Sequence, residues 1–218
     1  MSPGVDAAAA VVVGAIAVDA VRHVGERAEL PLAALPVILA VHQLIEVVVW
    51  WGIDGTVASA IGVAAVYAYL LVAFGLPLLV PSAVIALEPD ADRRRLMARL
   101  AVIGALVALV LLTNVVTGPV SAADGGFYVD YHARLFHGTT LTVIYVVATL
   151  GCCLASSHRF IVVFGLVNLV GVLALGWLTL RGFVSLWCAW AAVTSLIIAM
   201  HLRGTGPAQP AQGESLRR

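Results

Sequence analysis

The chain contains no lysine: all 12 of its basic residues are arginine. That excludes a seven-helix retinal protein, which holds its chromophore as a lysine Schiff base. Charge of either sign is scarce. Only 11% of the 218 residues are charged, 62% are hydrophobic, and the mean hydropathy is +1.05. A soluble domain of this length could not hide so much apolar surface, so the solvent expected around it is lipid. The formal net charge of zero gives no long-range attraction to nucleic acid. Three cysteines make no disulfide framework. Cys152 and Cys153 are adjacent in one apolar run and Cys188 is in another, where they read as buried free thiols.

What is present is a series of long apolar runs. A membrane-crossing helix needs about twenty apolar residues, and such runs fall near 5–22, 31–52, 57–87, 96–117, 136–155, 159–180 and 183–202. With no water in hydrocarbon the backbone must pair internally, and the runs are too long and uniform for barrel strands. The expected fold is all-α: an integral membrane bundle of seven transmembrane helices over residues 1–203, with a disordered cytoplasmic tail over 204–218. Pro77 and Pro81 predict a kink or an early end to the third helix. The first run resembles the core of a signal peptide. It lacks a basic flank and carries Asp6 and Asp19, so it reads as a span.

Arginine asymmetry sets the expected orientation. With the N-terminus outside, Arg22, Arg27, Arg93, Arg94, Arg95, Arg99, Arg159, Arg203, Arg217 and Arg218 are cytoplasmic, and only Arg134 and Arg181 lie outside. The outer side collects Asp6, Asp54, Asp124 and Asp130. The expectation is N-out, C-in, in the multi-pass architecture of a bacterial plasma-membrane protein.

His42 and Glu46 lie within the second apolar run. Ionisable groups at membrane depth are costly, face the bundle interior and mark function by default. Four residues apart, they share a helix face, with Trp50 one turn further along. Asn114 and Cys188 fall at similar depth, as do Thr113 and Ser185, and complete a candidate ligand pocket of His42, Glu46, Trp50, Asn114 and Cys188. Tyr67, Tyr69 and Asn168 fall near mid-depth. The longest polar connection, 118–138, is a candidate binding segment. In it Asp130 and Arg134 are spaced for an ion pair if the fifth helix starts early, and Asp130 or His132 would stand at the pocket mouth. His137 could join His42 and Glu46 as a metal set, since two imidazoles and a carboxylate suit zinc or iron. The same groups suit proton relay. The alternative is that His42 bonds Glu46, or Asn114, and only fixes helix packing.

A second polar group, Asp19, His23, Ser156, Ser157, His158, Arg159 and His201, lies at the cytoplasmic side and reads as interfacial snorkelling and helix capping. The tryptophans read as an aromatic belt. Gly165, Gly171 and Gly176 offer close packing on the sixth helix.

The segments LPLAALPVILAVHQLIEVVVWW, SSHRFIVVFG and GFVSLWCAWAAVTS resemble a bacterial family of small multi-pass membrane proteins with a His-Gln-x-x-Glu helix motif and no assigned function. Members open Met-Cys-Phe-Ser-Ala and carry Gly after the Glu, where this chain opens MSPGV and has Val47. Intramembrane hydrolases of the ceramidase and adiponectin-receptor type gather three His, an Asp and a Ser around zinc. No HxxxH pair matches them here. Three functions remain open: a binding protein with an outward-facing pocket for a metal, cofactor or small molecule; a metal-dependent lipid hydrolase; and an accessory subunit of a larger membrane complex. The expected partners are membrane lipid, a small-molecule ligand, and a partner membrane protein or second copy.

Overall fold

The structure, a computed structural model, describes residues 2–178 and 183–205, apart from the side chains of residues 183, 184, 188 and 205. The expected tail lies, past Thr205, outside the described residues. The helices are α1 (Pro3–Arg22), α2 (Leu30–Ile53), α3 (Ser59–Leu87), α4 (Ala91–Thr117), α5 (Gly138–Leu154), α6 (Arg159–Leu178) and α7 (Phe183–Thr205). A single 3-10 turn, Arg27–Glu29, leads into α2. Two strands, β1 (Val120–Asp124) and β2 (Val129–Ala133), stand between α4 and α5.

Each helix packs against the next, and α1 closes the ring on α7. Further contacts of α2 with α7 and of α3 with α5 cross the middle. The central helices are therefore α2 and α3: their apolar windows are 61% and 50% buried, against 28% for α1 and α4. On the outside, Val11, Val102, Leu106, Leu109 and Val170 are exposed, as they would be against lipid. Among the described residues, six helices are long and apolar enough to cross a membrane. The expected fifth span is the exception. It starts only at Gly138 and has 17 residues, about 26 Å of helix.

Pro77 and Pro81 neither end α3 nor shorten it; the helix runs on to Leu87. Pro77 has no N–H, so the Ala73 carbonyl one turn earlier loses its helical partner. The Tyr145 hydroxyl of α5 donates to that carbonyl at 2.8 Å. Pro81 likewise frees the Pro77 carbonyl. Gly104 of α4 sits directly against it, and a Cβ there would collide with the oxygen. For Pro77 a neighbouring helix thus takes up the backbone group that the proline releases, as membrane bundles require. A second close crossing joins α2 and α3 beside the site: a Cβ on Gly52 would lie 2.6 Å from the Gly62 Cα. On α6, Gly165 packs on Cys153 and Gly171 on Trp190, while Gly176 faces open space.

The connection 118–138 is not a plain loop but a hairpin. Its antiparallel strands pair from Val120↔Ala133 to Asp124↔Val129. At the turn, Asp124 Oδ1 accepts from the Gly126 N–H at 2.7 Å, and Gly126 takes φ +86, which only glycine adopts freely. The period of two sends Val129 and Tyr131 to one face and Asp130 and His132 to the other. Asp130 therefore meets His132, at 3.7 Å, and not Arg134. The expected helical spacing of Asp130 and Arg134 does not arise, because that stretch is strand.

Candidate functional site

α2 carries the site. His42, Gln43, Glu46 and Trp50 recur at helical spacing, so one stripe of α2 faces inward. His42, Gln43 and Glu46 are 0% exposed, as is Asp6 on α1. α1 and α2 run antiparallel, so the start of α1 meets the end of α2. The Trp50 indole N–H donates to Asp6 Oδ2 at 2.7 Å. Asp6 is also close enough to act on the charge of Glu46.

Two elements reach Glu46 from the far side. The Ser185 hydroxyl at the start of α7 donates to Glu46 Oε1 at 2.5 Å, and the Tyr131 hydroxyl of β2 approaches the same oxygen at 3.5 Å. The Val129 N–H points at Ser185 Oγ, also at 3.5 Å. The inward face of the hairpin, Val129 and Tyr131, thus closes over Glu46. Three rings form a stack beneath it. His42 lies on Tyr69 with centroids 3.9 Å apart, and Tyr69 on Tyr131 at 4.3 Å.

His42 does not bond Glu46. Its Nε2 lies 3.0 Å from the Tyr69 carbonyl oxygen on α3. A carbonyl only accepts, so Nε2 carries the hydrogen, and in the neutral ring Nδ1 is left as an acceptor. Five buried side-chain atoms here have no hydrogen-bond partner: Asp6 Oδ1, His42 Nδ1, both amide atoms of Gln43, and Glu46 Oε2. Among the described residues, the ion pairs are those of Asp19 with His23 and Arg203, Asp92 with Arg95, and Asp130 with His132; none reaches Asp6 or Glu46.

Other expected members are elsewhere. His137 is the N-cap of α5, exposed, at φ 53 and edge-on to Phe136. Among the described residues no three His, Cys, Asp or Glu side chains are grouped to hold a metal ion, so the zinc or iron set of His42, Glu46 and His137 is not assembled. Asn114 donates to the Val110 carbonyl of its own helix at 2.7 Å. The Cys188 side chain lies outside the described residues. Sequence reasoning missed Asp6 and Tyr131 as members. The signal for Asp6 was its depth: a residue four from the start of α1 meets one four from the end of an antiparallel α2.

Residues 1–213 match a family of unknown function, DUF6629. The chain belongs to that family. No curated protein and no solved structure matches it.

In this DUF6629 member the opposite, arginine-rich end is a structural lock with its polar groups satisfied. Glu88, just past α3, accepts from the Ser157 N–H at 2.8 Å, the Ser157 hydroxyl at 2.7 Å and the Ser156 hydroxyl at 3.2 Å. Burial opposes its charge. The bonds from Ser157, from the Asp90 N–H and from Ser156 outweigh that and hold its carboxyl below the usual range. Arg93 donates to the Ala155 and Ser156 carbonyls, and Arg203 grips Asp19 at 2.7 and 2.9 Å. His158 bonds the Leu87 carbonyl, and His201 stacks on Phe160.

Proposed function

We propose that this chain is a bacterial plasma-membrane protein of seven helices, N-out and C-in, that binds a small polar ligand in an outward-facing pocket. Asp6, His42, Gln43 and Glu46 form its floor, and the hairpin is its cover. The observation that carries this reading is the set of five partnerless polar atoms on four wholly buried side chains. A polar network kept only for packing satisfies its members, because each orphaned buried group costs about 1–3 kcal/mol. The Glu88 lock of the same chain is such a network. The floor of the pocket is not, and a ligand supplies the missing partners.

The orientation rests on two supports. Arginines 22, 27, 93, 94, 95, 99, 159 and 203 crowd the end opposite the hairpin, the distribution of a cytoplasmic face. The hairpin end carries Asp54, Asp124 and Asp130.

The test is a thermal-stability screen of the detergent-purified protein against small ammonium, carboxylate and neutral hydroxyl compounds. A ligand that binds only the folded state raises its melting temperature saturably. At least one compound class should do so for the parent and not for the His42→Gln/Glu46→Gln double variant. A parent that responds to no class would reduce the cluster to packing.

A further inference from the structure

We infer that the ligand of this pocket is a primary ammonium group. The inference rests on the pocket reading above and adds the chemistry of the occupant. Count first what is unfilled. Glu46 Oε2, Asp6 Oδ1 and the Gln43 amide oxygen are acceptors, and the Tyr69 carbonyl makes His42 Nδ1 a fourth. The unfilled donor among these four side chains is the Gln43 amide nitrogen. The occupant must therefore bring several donors and few acceptors.

Charge narrows the choice further. Two carboxyl side chains are wholly buried within reach of each other's fields, and among the described residues no ion pair balances either. A carboxylate or phosphate ligand would face both acids. A neutral alcohol would bring one donor and leave the charge. An ammonium brings three N–H donors, no acceptor and a positive charge, all of which the floor lacks. A metal ion would need a third ligand from His, Cys, Asp or Glu. Among the described residues no such group is present.

Gln43 is neutral, wholly buried and without a partner at either amide atom. It lies three residues before Glu46 and seven before Trp50, on the stripe that meets Asp6. A glutamine held there offers its amide oxygen as one acceptor for a third N–H. Access is from the hairpin side. Tyr131 and Ser185 hold the other oxygen of Glu46, so the free oxygen stays available while the cover is shut.

The amine has three sources: the ammonium ion itself, a small organic amine, or the headgroup of an amine lipid. The full chain, purified in detergent free of amine lipid, is titrated with ammonium chloride, methylammonium chloride, tetramethylammonium chloride and sodium chloride at equal ionic strength. The melting temperature is the readout. The expected result is saturable stabilisation by ammonium or methylammonium and none by tetramethylammonium, which has no N–H to donate. Asp6→Asn and Glu46→Gln each weaken the apparent affinity at least tenfold, and Asp92→Asn at the arginine-rich end does not. If either acid variant fails to fold, Gln43→Leu replaces it and weakens affinity several-fold with no change of charge.

In nanodiscs, a gain in stability on replacing phosphatidylcholine with phosphatidylethanolamine, with no added amine, assigns the amine to lipid. No gain there, with methylammonium active, assigns it to a soluble ligand. Equal stabilisation by tetramethylammonium or sodium overturns the inference, as does an ammonium response that survives the Asp6→Asn/Glu46→Gln double variant. A response to carboxylates or alcohols in place of amines overturns it and leaves the pocket standing. No response to any compound removes the pocket as well.

Discussion

Consider the Trp50→Phe substitution. The Trp50 indole N–H is the hydrogen-bond donor on Asp6 Oδ2, at 2.7 Å, and Asp6 Oδ1 has no partner. Phenylalanine would leave the wholly buried carboxyl with none. Leaving a buried charged acceptor without its donor costs about 3 kcal/mol, the upper end for an orphaned polar group. A neutral hydrogen bond within a membrane bundle averages only about 0.6 kcal/mol, because the unfolded state in lipid also finds partners. The two figures separate a charged Asp6 from a merely polar one. Asp6→Leu alone leaves the indole N–H unpaired and costs about 1–3 kcal/mol. The double variant removes both groups and should fall close to the parent. For a charged Asp6 the double-mutant cycle should then give a coupling of about 4–6 kcal/mol, the sum of the two single costs. At roughly 2–4 °C per kcal/mol for a chain of this size, the Trp50→Phe single should lose about 6–12 °C, and the double should recover most of it. The assay is thermal unfolding in one detergent, followed by tryptophan-independent aggregation. Additive single effects would refute the reasoning, since they would mean that the indole and the carboxyl do not support each other. A coupling near 0.6 kcal/mol would show that Asp6 acts only as a neutral acceptor. In either case the double variant should no longer respond to methylammonium.

Three further outcomes follow from the same geometry. Tyr145→Phe orphans the Ala73 carbonyl and should cost about 1–3 kcal/mol, and less in a Pro77→Ala background, where residue 77 regains the N–H that carbonyl lacks; equal losses in both backgrounds would break the link. Glu88 has a folded pKa below its ordinary 4.5, so its contribution is fully present above that pH and is lost as pH falls through the folded value; Glu88→Gln should flatten the acid limb of stability against pH, and an unchanged limb would remove Glu88 from the lock. A cysteine at Asp124 should react with an impermeant thiol reagent added outside intact cells and one at Arg94 should not; the reverse pattern would invert the orientation and close the pocket to the exterior.

The helices were legible because composition and period carry them. A run of apolar residues long enough to cross hydrocarbon is a property of one stretch of chain, and the α2 boundary at Leu30–Ile53 departs from the expected 31–52 by one residue at each end. Where a neighbour decides the outcome, the single stretch misleads. Pro77 and Pro81 read as a kink or an early end, and in an isolated helix they would kink or break it. α3 continues: Tyr145, sixty-eight residues further on than Pro77, donates to the carbonyl that Pro77 frees, and Gly104 leaves room for the one that Pro81 frees. The hairpin was hidden for a related reason. Its strands are only five residues each, with no long alternation to announce them, and they gain their burial from the bundle end they cover.

The same division explains the site. His42 and Glu46 stood out because ionisable residues inside an apolar run need no partner to be noticed. The alternative in which they bond each other rests on spacing alone, and spacing says only that they share a face. In the fold each turns to a different helix: His42 to the Tyr69 carbonyl of α3, Glu46 to Ser185 of α7. That divergence bears on function. Had the two bonded each other, each would have met part of the other's need, and α2 would have carried a closed polar unit. Because each is tied elsewhere by one atom only, Nδ1 and Oε2 are left over on the same stripe, together with Gln43 and facing the acid of α1. This group of unpartnered atoms is thus a product of four helices and a hairpin, α1, α2, α3, α7 and β2. No single segment contains it, which is why the motif could be seen in the sequence and the grouping could not.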